Sequence, residues 1–449
     1  MEKQEFRAAA SLAAVFSVRL LGLFMIYPVF ADYARHLSGN TPYRTGLALG
    51  IYGLSQGLLQ IPFGLLSDKI GRKTMIILGL IVFGFGSAVA AVSTSIDGVI
   101  VGRVLQGAGA VGSVILALVA DLTSEESRTK AMAMVGITIG TSFMVALVAG
   151  PILAGVIGVS GIFWLMLGLA AVGIAITVFI VPRPRSLRVH RDTETVPAML
   201  GSILRNRELL RLDFGIFALH SMLTASFLVV PSLLLERLNV NSHSQWMIYL
   251  PELLLSVAVM VPAIIVAEKY RCMKAVLVGA VAALVASQFM LVVGQDNVYV
   301  VLTAIALFFA GFNVMEASLP SLVTKAAPPA AKGTATGIYS SSQFLGIFVG
   351  GVLGGWVQQS AGRASVFAWS GGLALVWLLV AATMKRPSYL TTRLLRIGSG
   401  ADTEQLAAKL RQVPGVAEVV VIAEEKLAYL KIDSRAFDAT MAQSLVGAT

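Results

Sequence analysis

Apolar runs of about twenty residues follow one another from about residue 9 to about residue 384, separated by short polar breaks. A helix rising 1.5 Å per residue needs roughly 20 such residues to cross a hydrocarbon core. Twelve runs are present, centred near residues 20, 55, 83, 109, 141, 171, 222, 256, 283, 310, 345 and 374. The pattern predicts twelve membrane-spanning helices. A transmembrane β-barrel would instead show short strands alternating apolar and polar residues, and the chain does not read that way. The first run is long, contains Arg19, and is followed by YPVFADYARHL without a small-residue cleavage site. It is expected to be a retained first helix rather than a cleaved signal peptide.

Past residue 385 the period changes. RLLRI (393–397) reads as a strand, and Asp402 or Thr403 can cap a helix that places Leu406, Leu410 and Val413 on one face. VAEVVVIA and LAYLKI flank EEK as a hairpin, and Phe437, Met441 and Leu445 form the apolar face of a last helix. The order β-α-β-β-α predicts a small ferredoxin-like α+β domain without a fourth strand. At under 60 residues it is marginal alone, so docking or dimerisation is expected to support it. The fold class is therefore an all-α membrane protein of two six-helix bundles, plus this domain. The expected divisions are an N-terminal bundle (1–182), a basic linker (183–208), a C-terminal bundle (209–385) and the tail domain (393–449).

Composition supports the bilayer as solvent. The chain is 57% hydrophobic and 13% charged, with mean hydropathy +0.82, where soluble domains carry about 25% charged residues. The net charge of +10 does not imply nucleic acid, because of where it sits. With twelve spans, 21 of the 34 Lys and Arg fall on one side up to Arg386 and only Arg35, Arg44, Arg237 and Arg363 on the other. That asymmetry is the positive-inside pattern, and it predicts both termini in the cytoplasm of a bacterial inner-membrane protein. A single cysteine, Cys272, excludes an internal disulfide and a cysteine-clustered metal site. No cofactor or metal is expected. No Gly-x-x-x-x-Gly-Lys-Ser/Thr loop for ATP phosphates is present, and no Ser-His-Asp set suggests an enzyme.

The two halves echo each other. GPILAG (150–155) is matched by GGVLGG (350–355). Half-repeats with substrate near the midplane between them are a recurrent transporter plan, and small residues let helices approach closely.

Charge concentrates in GLLSDKIGRK (64–73), which holds Asp68, Lys69, Arg72 and Lys73. Asp68 ends the second helix, where its own helix dipole disfavours it and the N-terminus of another helix would favour it. This stretch resembles the loop 2–3 signature of the major facilitator superfamily. GRVLQGAGA (102–110) resembles the fourth-helix signature of its drug:proton antiporter branch, and GPILAG a shortened fifth-helix signature. With its ferredoxin-like tail the chain is similar, over nearly its whole length, to YajR-type transporters.

The resemblance implies a conformational latch of Gly64, Asp68, Gly71, Arg72 and Lys73. Asp68 would face the start of the eleventh helix near Lys332 and Gly333, and Arg72 would pair with Asp121. The latch would hold the halves together while the transporter is open outward. The alternative is a topology anchor, which Lys69 and Lys73 alone would satisfy. The resemblance also implies that Gly150, Pro151 and Gly155 seal the pore, against a plain proline kink.

Ionisable residues inside the membrane are costly and tend to be functional. Glu316 is the leading proton-coupling candidate, since a carboxyl out of water favours its neutral form. His220, Arg103 and Arg19 are the others, each with a structural hydrogen-bonding role as the alternative. Glu252 reads as nearer the outer end of its helix, and Asp32 as interfacial. The tail also resembles metal-binding ferredoxin-like domains. Their cysteine pair would fall in GSGADT (398–403), which has none, so an unknown ligand or partner is expected there instead.

The resemblance implies a proton-coupled secondary transporter, an efflux antiporter for small molecules working by alternating access. Its partners would be a small-molecule substrate, protons and the lipid bilayer. Proton-linked uptake, facilitated diffusion of a metabolite, or a membrane sensor signalling through the tail remain alternatives.

Overall fold

In the computed structural model, residues 1–182, 199–328, 331–385, 391–397, 403–422, 427–433 and 436–447 are described. Twelve long helices form the membrane part. They are α1 (Lys3–Ala34, broken at Met25–Ile26), α2 (Pro42–Ile70), α3 (Arg72–Val92) and α4 (Ile96–Asp121, broken at 109–111). The unbroken stretch Glu125–Ala175 is two helices, because Gly158 at φ 71° and ψ 171° interrupts it. They are α5 (125–157) and α6 (159–175), the latter extended by a wide turn over Ile176–Ile180. The second set is α7 (Arg207–Leu238), α8 (Trp246–Lys269), α9 (Met273–Val293), α10 (Val298–Ala326), α11 (Lys332–Ala361) and α12 (Arg363–Thr383). Gly362, at φ 80° and ψ 178°, turns α11 into α12 as Gly158 turns α5 into α6. Only glycine adopts that backbone without strain.

By length and hydropathy alone ten helices qualify as spans. The count reaches twelve because α5 and α6 separate at Gly158, and because α11 is diluted by Gly, Ser and Gln in KGTATGIYSSSQFLGIFVGG. Local signals begin the helices. Thr41 accepts from Arg44 N–H at 3.2 Å ahead of Pro42, and Asn206 and Asn297 cap α7 and α10. Large apolar side chains such as Phe85, Phe179 and Val293 point outward, as a lipid-facing belt requires.

The half-repeat has a packing meaning. A Cβ on Gly150 would lie 2.1 Å from the Met25 carbonyl oxygen, and one on Gly350 would lie 2.2 Å from that of Ser221. Thus α5 presses on α1 as α11 presses on α7, backbone against backbone. Between the bundles, α2 runs against α11 in the same way. A Cβ on Gly46 would meet Gly351 O at 2.1 Å, and one on Gly53 would meet Phe344 O at 2.4 Å. This seam closes the end of the molecule opposite the α2–α3 loop. Tyr43 N–H donates to Gln359 there at 3.2 Å, and Ser242 Oγ to Asp32 at 2.8 Å.

The tail domain has β1 (Thr391–Arg396), α13 (Thr403–Arg411), β2 (Val416–Ile422), β3 (Leu427–Ile432) and α14 (Ala439–Gly447), in the expected β-α-β-β-α order. Its antiparallel sheet runs β1-β3-β2. Leu406, Leu410, Val413 and Leu430 form its core. One expectation fails: Met441 is exposed, and Ala442 is buried in its place, because the helix starts at Ala439 and turns that position inward. The linker (183–198), most of GSGADT and the EEK turn lie outside the described residues.

Because no side chain fits in the seam, Gly351→Leu is expected to pry α2 from α11 and to destabilise the fold by about 1–3 kcal/mol. Spin labels at positions 43 and 359, in a Cys272→Ser background, should move apart. An unchanged distance would mean the seam does not close this end.

Candidate functional site: a latch and a buried polar file

Charge taken out of water must be paired, hydrogen-bonded or neutral. The first bundle uses hydrogen bonds. Arg19, buried on α1, donates from Nη2 to Tyr52 Oη at 2.9 Å and to Gln56 Oε1 at 2.6 Å. Tyr52 and Gln56 are one turn apart on α2 and so share a face. Arg103, fully buried on α4, lies with its guanidinium 4.7 Å from the centre of the same Tyr52 ring. Its Nε donates to Ala48 O at 3.3 Å and its Nη1 to Gln106 Oε1 at 2.8 Å. Gln106 in turn donates to Ser87 Oγ at 2.8 Å. Tyr52 therefore serves both cations, one through its hydroxyl and one through its ring. Among the described residues neither arginine pairs with a carboxylate.

The second bundle supplies the acid. Glu316 on α10 has Oε2 3.8 Å from Nε2 of His220 on α7. Gln343 on α11 bridges them, with its Nε2 2.8 Å from His220 Nε2 and 3.5 Å from Glu316 Oε1. With that amide donating, His220 Nε2 accepts and its ring proton sits on Nδ1. The cluster lies at the bundle interface. One turn before Glu316, Phe312 stacks on Phe143 of α5 at 5.2 Å. Tyr27 of α1 meets Thr224 of α7 at 3.2 Å and stacks on Phe227. Cations on one wall thus meet a carboxyl and an imidazole on the other. Glu252 is half-buried on α8, away from this cluster.

The charged end holds the other set. Gly71, at φ 95°, turns α2 into α3. Arg72, buried, contacts Asp68 at 2.5 Å and Asp121 of α4 at 3.2 Å, and donates to Ser67 Oγ at 2.7 Å. Lys73 Nζ donates to Val181 O at 2.8 Å, at the end of the first bundle. Asp68 lines a cleft whose far wall includes Gly333, Thr336 and Ser340 of α11. Among the described residues it makes no hydrogen bond across that cleft. The latch partners therefore face each other unjoined, in a state closed at the opposite end. Gly64 does not provide the close approach to α11 expected of it. Its nearest neighbour is Ser113 Oγ of α4, 3.3 Å from where a Cβ would sit.

Gly150 packs on Met25, Pro151 lies inside α5, and a Cβ on Gly155 would lie 3.0 Å from His243 Cβ, ahead of α8. The last contact joins the two bundles at the closed end.

A second copy of the charged loop sits 200 residues on. SDKIGRK (67–73) corresponds to AEKYRCM (267–273). Glu268 pairs with Lys325 at 2.6 Å. Arg271 stands where the first copy has Gly71, in the left-handed region at φ 53°. Its Nη2 reaches both carboxylate oxygens of Asp433, after β3 of the tail domain, at 2.9 and 3.2 Å. Sequence reading missed Tyr52, Gln56, Tyr339, Gln343 and Asp213. The neutral ones carry no sequence signal. Asp213 did, as an acid just inside a span, but Arg211 two residues earlier made it read as helix mouth.

The sequence matches the Major Facilitator Superfamily over residues 12–351 and 213–412. The chain belongs to that superfamily. It also matches the YajR YAM domain over residues 392–441. It is 43% identical to the inner membrane transport protein YajR of Escherichia coli (strain K12), across 97% of this chain and 96% of that one. Multidrug resistance protein 2 of Bacillus subtilis (strain 168) is 33% identical over 38% of this chain and 42% of its own. A bacterial homologue of the human lysosomal transporter Spinster shares the fold, with TM-score 0.65 at 12% identity, covering 86% of this chain and 98% of that one. This major facilitator is thus a multi-pass membrane transporter of the YajR type, for which a small-molecule substrate is implied.

Because Arg72 and Asp121 are buried, removing either partner strands a charge. Asp121→Ala is expected to destabilise by about 3–5 kcal/mol. Asp68→Asn, at a position one-third exposed, is expected to lose about 1 kcal/mol or less. Chemical unfolding in mixed micelles measures both. Equal losses would make Asp68 as structural as Asp121.

Proposed function

We propose that this facilitator is a proton-coupled secondary transporter of the bacterial inner membrane, an efflux antiporter for small molecules working by alternating access. The observation that carries the reading is Glu316. Its Oε2 has no hydrogen-bond donor, it lies at the interface between bundles, and the cations opposite it, Arg19 and Arg103, are held by neutral groups. A carboxyl so placed changes the balance between the walls when it gains or loses a proton. His220 and Gln343 would fix its orientation. Arg19 and Arg103 would supply the field it works against.

In this reading the charged end and both termini are cytoplasmic, as the positive-inside bias suggests. The structure then corresponds to a state sealed outward. Asp68 would close on the N-terminus of α11 in the opposite state, where the dipole favours it. Arg72, Asp121, Gly71 and Lys73 would hold loop 2–3 in shape for that contact. Gly150, Pro151 and Gly155 would keep the outer seal tight. The chain would divide into bundles at 1–182 and 209–385, a linker at 183–208 and a regulatory domain at 393–449. Support for efflux comes from the fourth-helix signature around Arg103 and from the name of the Bacillus relative.

A sensor reading has one observation in its favour, the Arg271–Asp433 contact between the second bundle and the tail domain. It predicts no flux.

The test is reconstitution in liposomes with an internal pH dye and a panel of small amphipathic compounds. Wild type should move protons in a compound-dependent way, and Glu316→Gln should abolish that movement. Solute flux without protons in wild type would replace the antiporter reading with facilitated diffusion. Asp68→Asn should bias the population toward the state open at the charged end. An unbiased population would leave loop 2–3 as a topology anchor.

A further inference from the structure

Asp213 lies on α7, 6% exposed, and makes no hydrogen bond or ion pair among the described residues. The Tyr339 hydroxyl on α11 is also buried without a hydrogen-bond partner, as is Oε2 of Glu316 on α10. An ionised carboxylate left unpaired at such a site costs several kcal/mol, so this arrangement calls for a function.

The three groups are arranged in order. Asp213 and His220 are seven residues apart on α7, two turns on one face and roughly 10 Å in height. Tyr339 is one turn before Gln343 on α11, toward the charged end. Gln343 touches both His220 and Glu316. Tyr339 is within electrostatic range of both Asp213 and Glu316. Helices α7 and α11 are locked together here, since a Cβ on Gly346 would lie 2.3 Å from Phe217 O. The file Asp213, Tyr339, Glu316 thus climbs from the charged end to the bundle interface.

The surrounding charges leave Asp213 alone. On α7, Arg211 is held by Glu208 at 2.6 Å. On α10, Lys325 is held by Glu268. On α11 the titratable groups are Lys332, at the helix start, and Tyr339. Next to it α12 brings Trp377, beside Gly215, and no titratable side chain at that level. From the first bundle, Tyr27 and Tyr52 lie nearer the interface and the far end.

We propose that Asp213 is a second proton-binding site, which takes protons from solvent at the charged end and delivers them through Tyr339 to Glu316. In one transfer the Asp213 carboxylic acid gives its proton to Tyr339 Oη as the Tyr339 hydroxyl proton passes to the Glu316 carboxylate. One proton moves, Asp213 is left ionised, Glu316 becomes neutral, and Tyr339 ends as it began. The inference rests on Glu316 being the coupling carboxyl.

The test needs no substrate, because the ligand is the proton. Infrared difference spectra of the protein in nanodiscs are recorded as pH is stepped from about 8 to about 5. Wild type should show two protonated-carboxyl bands. Asp213→Asn should remove one and slow the appearance of the other on the order of 100-fold. Tyr339→Phe should keep both bands but slow the Glu316 band similarly, and Asp213→Glu should restore both bands and the rate. Glu316→Gln should remove only its own band. Wild-type spectra and rates in Asp213→Asn, or a wild-type rate in Tyr339→Phe, overturn the relay while Glu316 stands. A Glu316→Gln spectrum that loses no band overturns the underlying reading instead.

Discussion

The cost of carrying charge into hydrocarbon organises this molecule. Each buried ionisable group meets that cost differently, and the difference sorts structure from function. Arg72 and Asp121 neutralise each other and fix α3 to α4 at the charged end. Arg19 and Arg103 are held by Tyr52, Gln56 and Gln106, dipoles that stabilise cations without cancelling them. Glu316 and Asp213 are left with the fewest partners, in the second bundle. Paired charges stay as they are, whereas unpaired carboxyls respond to protons.

The mechanical counterpart is the glycine seam. Backbone contact between α2 and α11 leaves no side chain to deform, so the bundles are positioned to rock about it as rigid bodies rather than bend. Within each half, Gly150 and Gly350 make the same contact through the repeat. The repeat is also broken where it matters. Arg271 replaces Gly71 and accepts a left-handed backbone to reach Asp433, which ties the second bundle to the tail domain. The first bundle keeps its glycine, and its loop faces α11.

Much of this was legible in the sequence because hydropathy and glycine placement act locally. The twelve runs, the linker and the β-α-β-β-α tail follow from periodicity, and loop 2–3 stood out as four charges amid apolar chain. What escaped was long-range. Tyr52 and Gln343 matter for what lies beside them, and nothing in their flanking residues says so. Gly64 was read as facing α11 because the sequence cannot say which neighbour a small residue admits; it admits Ser113. Met441 was read as apolar and therefore buried, but a helix start at Ala439 turned Ala442 inward instead. Asp213 was hidden by a neighbouring arginine, since the edge of a span is where a hydropathy reading is least sharp.

The central claim is that the charge on Glu316 sets the equilibrium between the bundles. Spin labels at Ile70 and Tyr270, exposed at the charged ends of α2 and α8, report that separation directly in a Cys272→Ser background. Two distance populations whose ratio follows pH in wild type, with the pH dependence lost in Glu316→Gln, is the result this account predicts. A single population at every pH, or an unchanged titration in the variant, would contradict it.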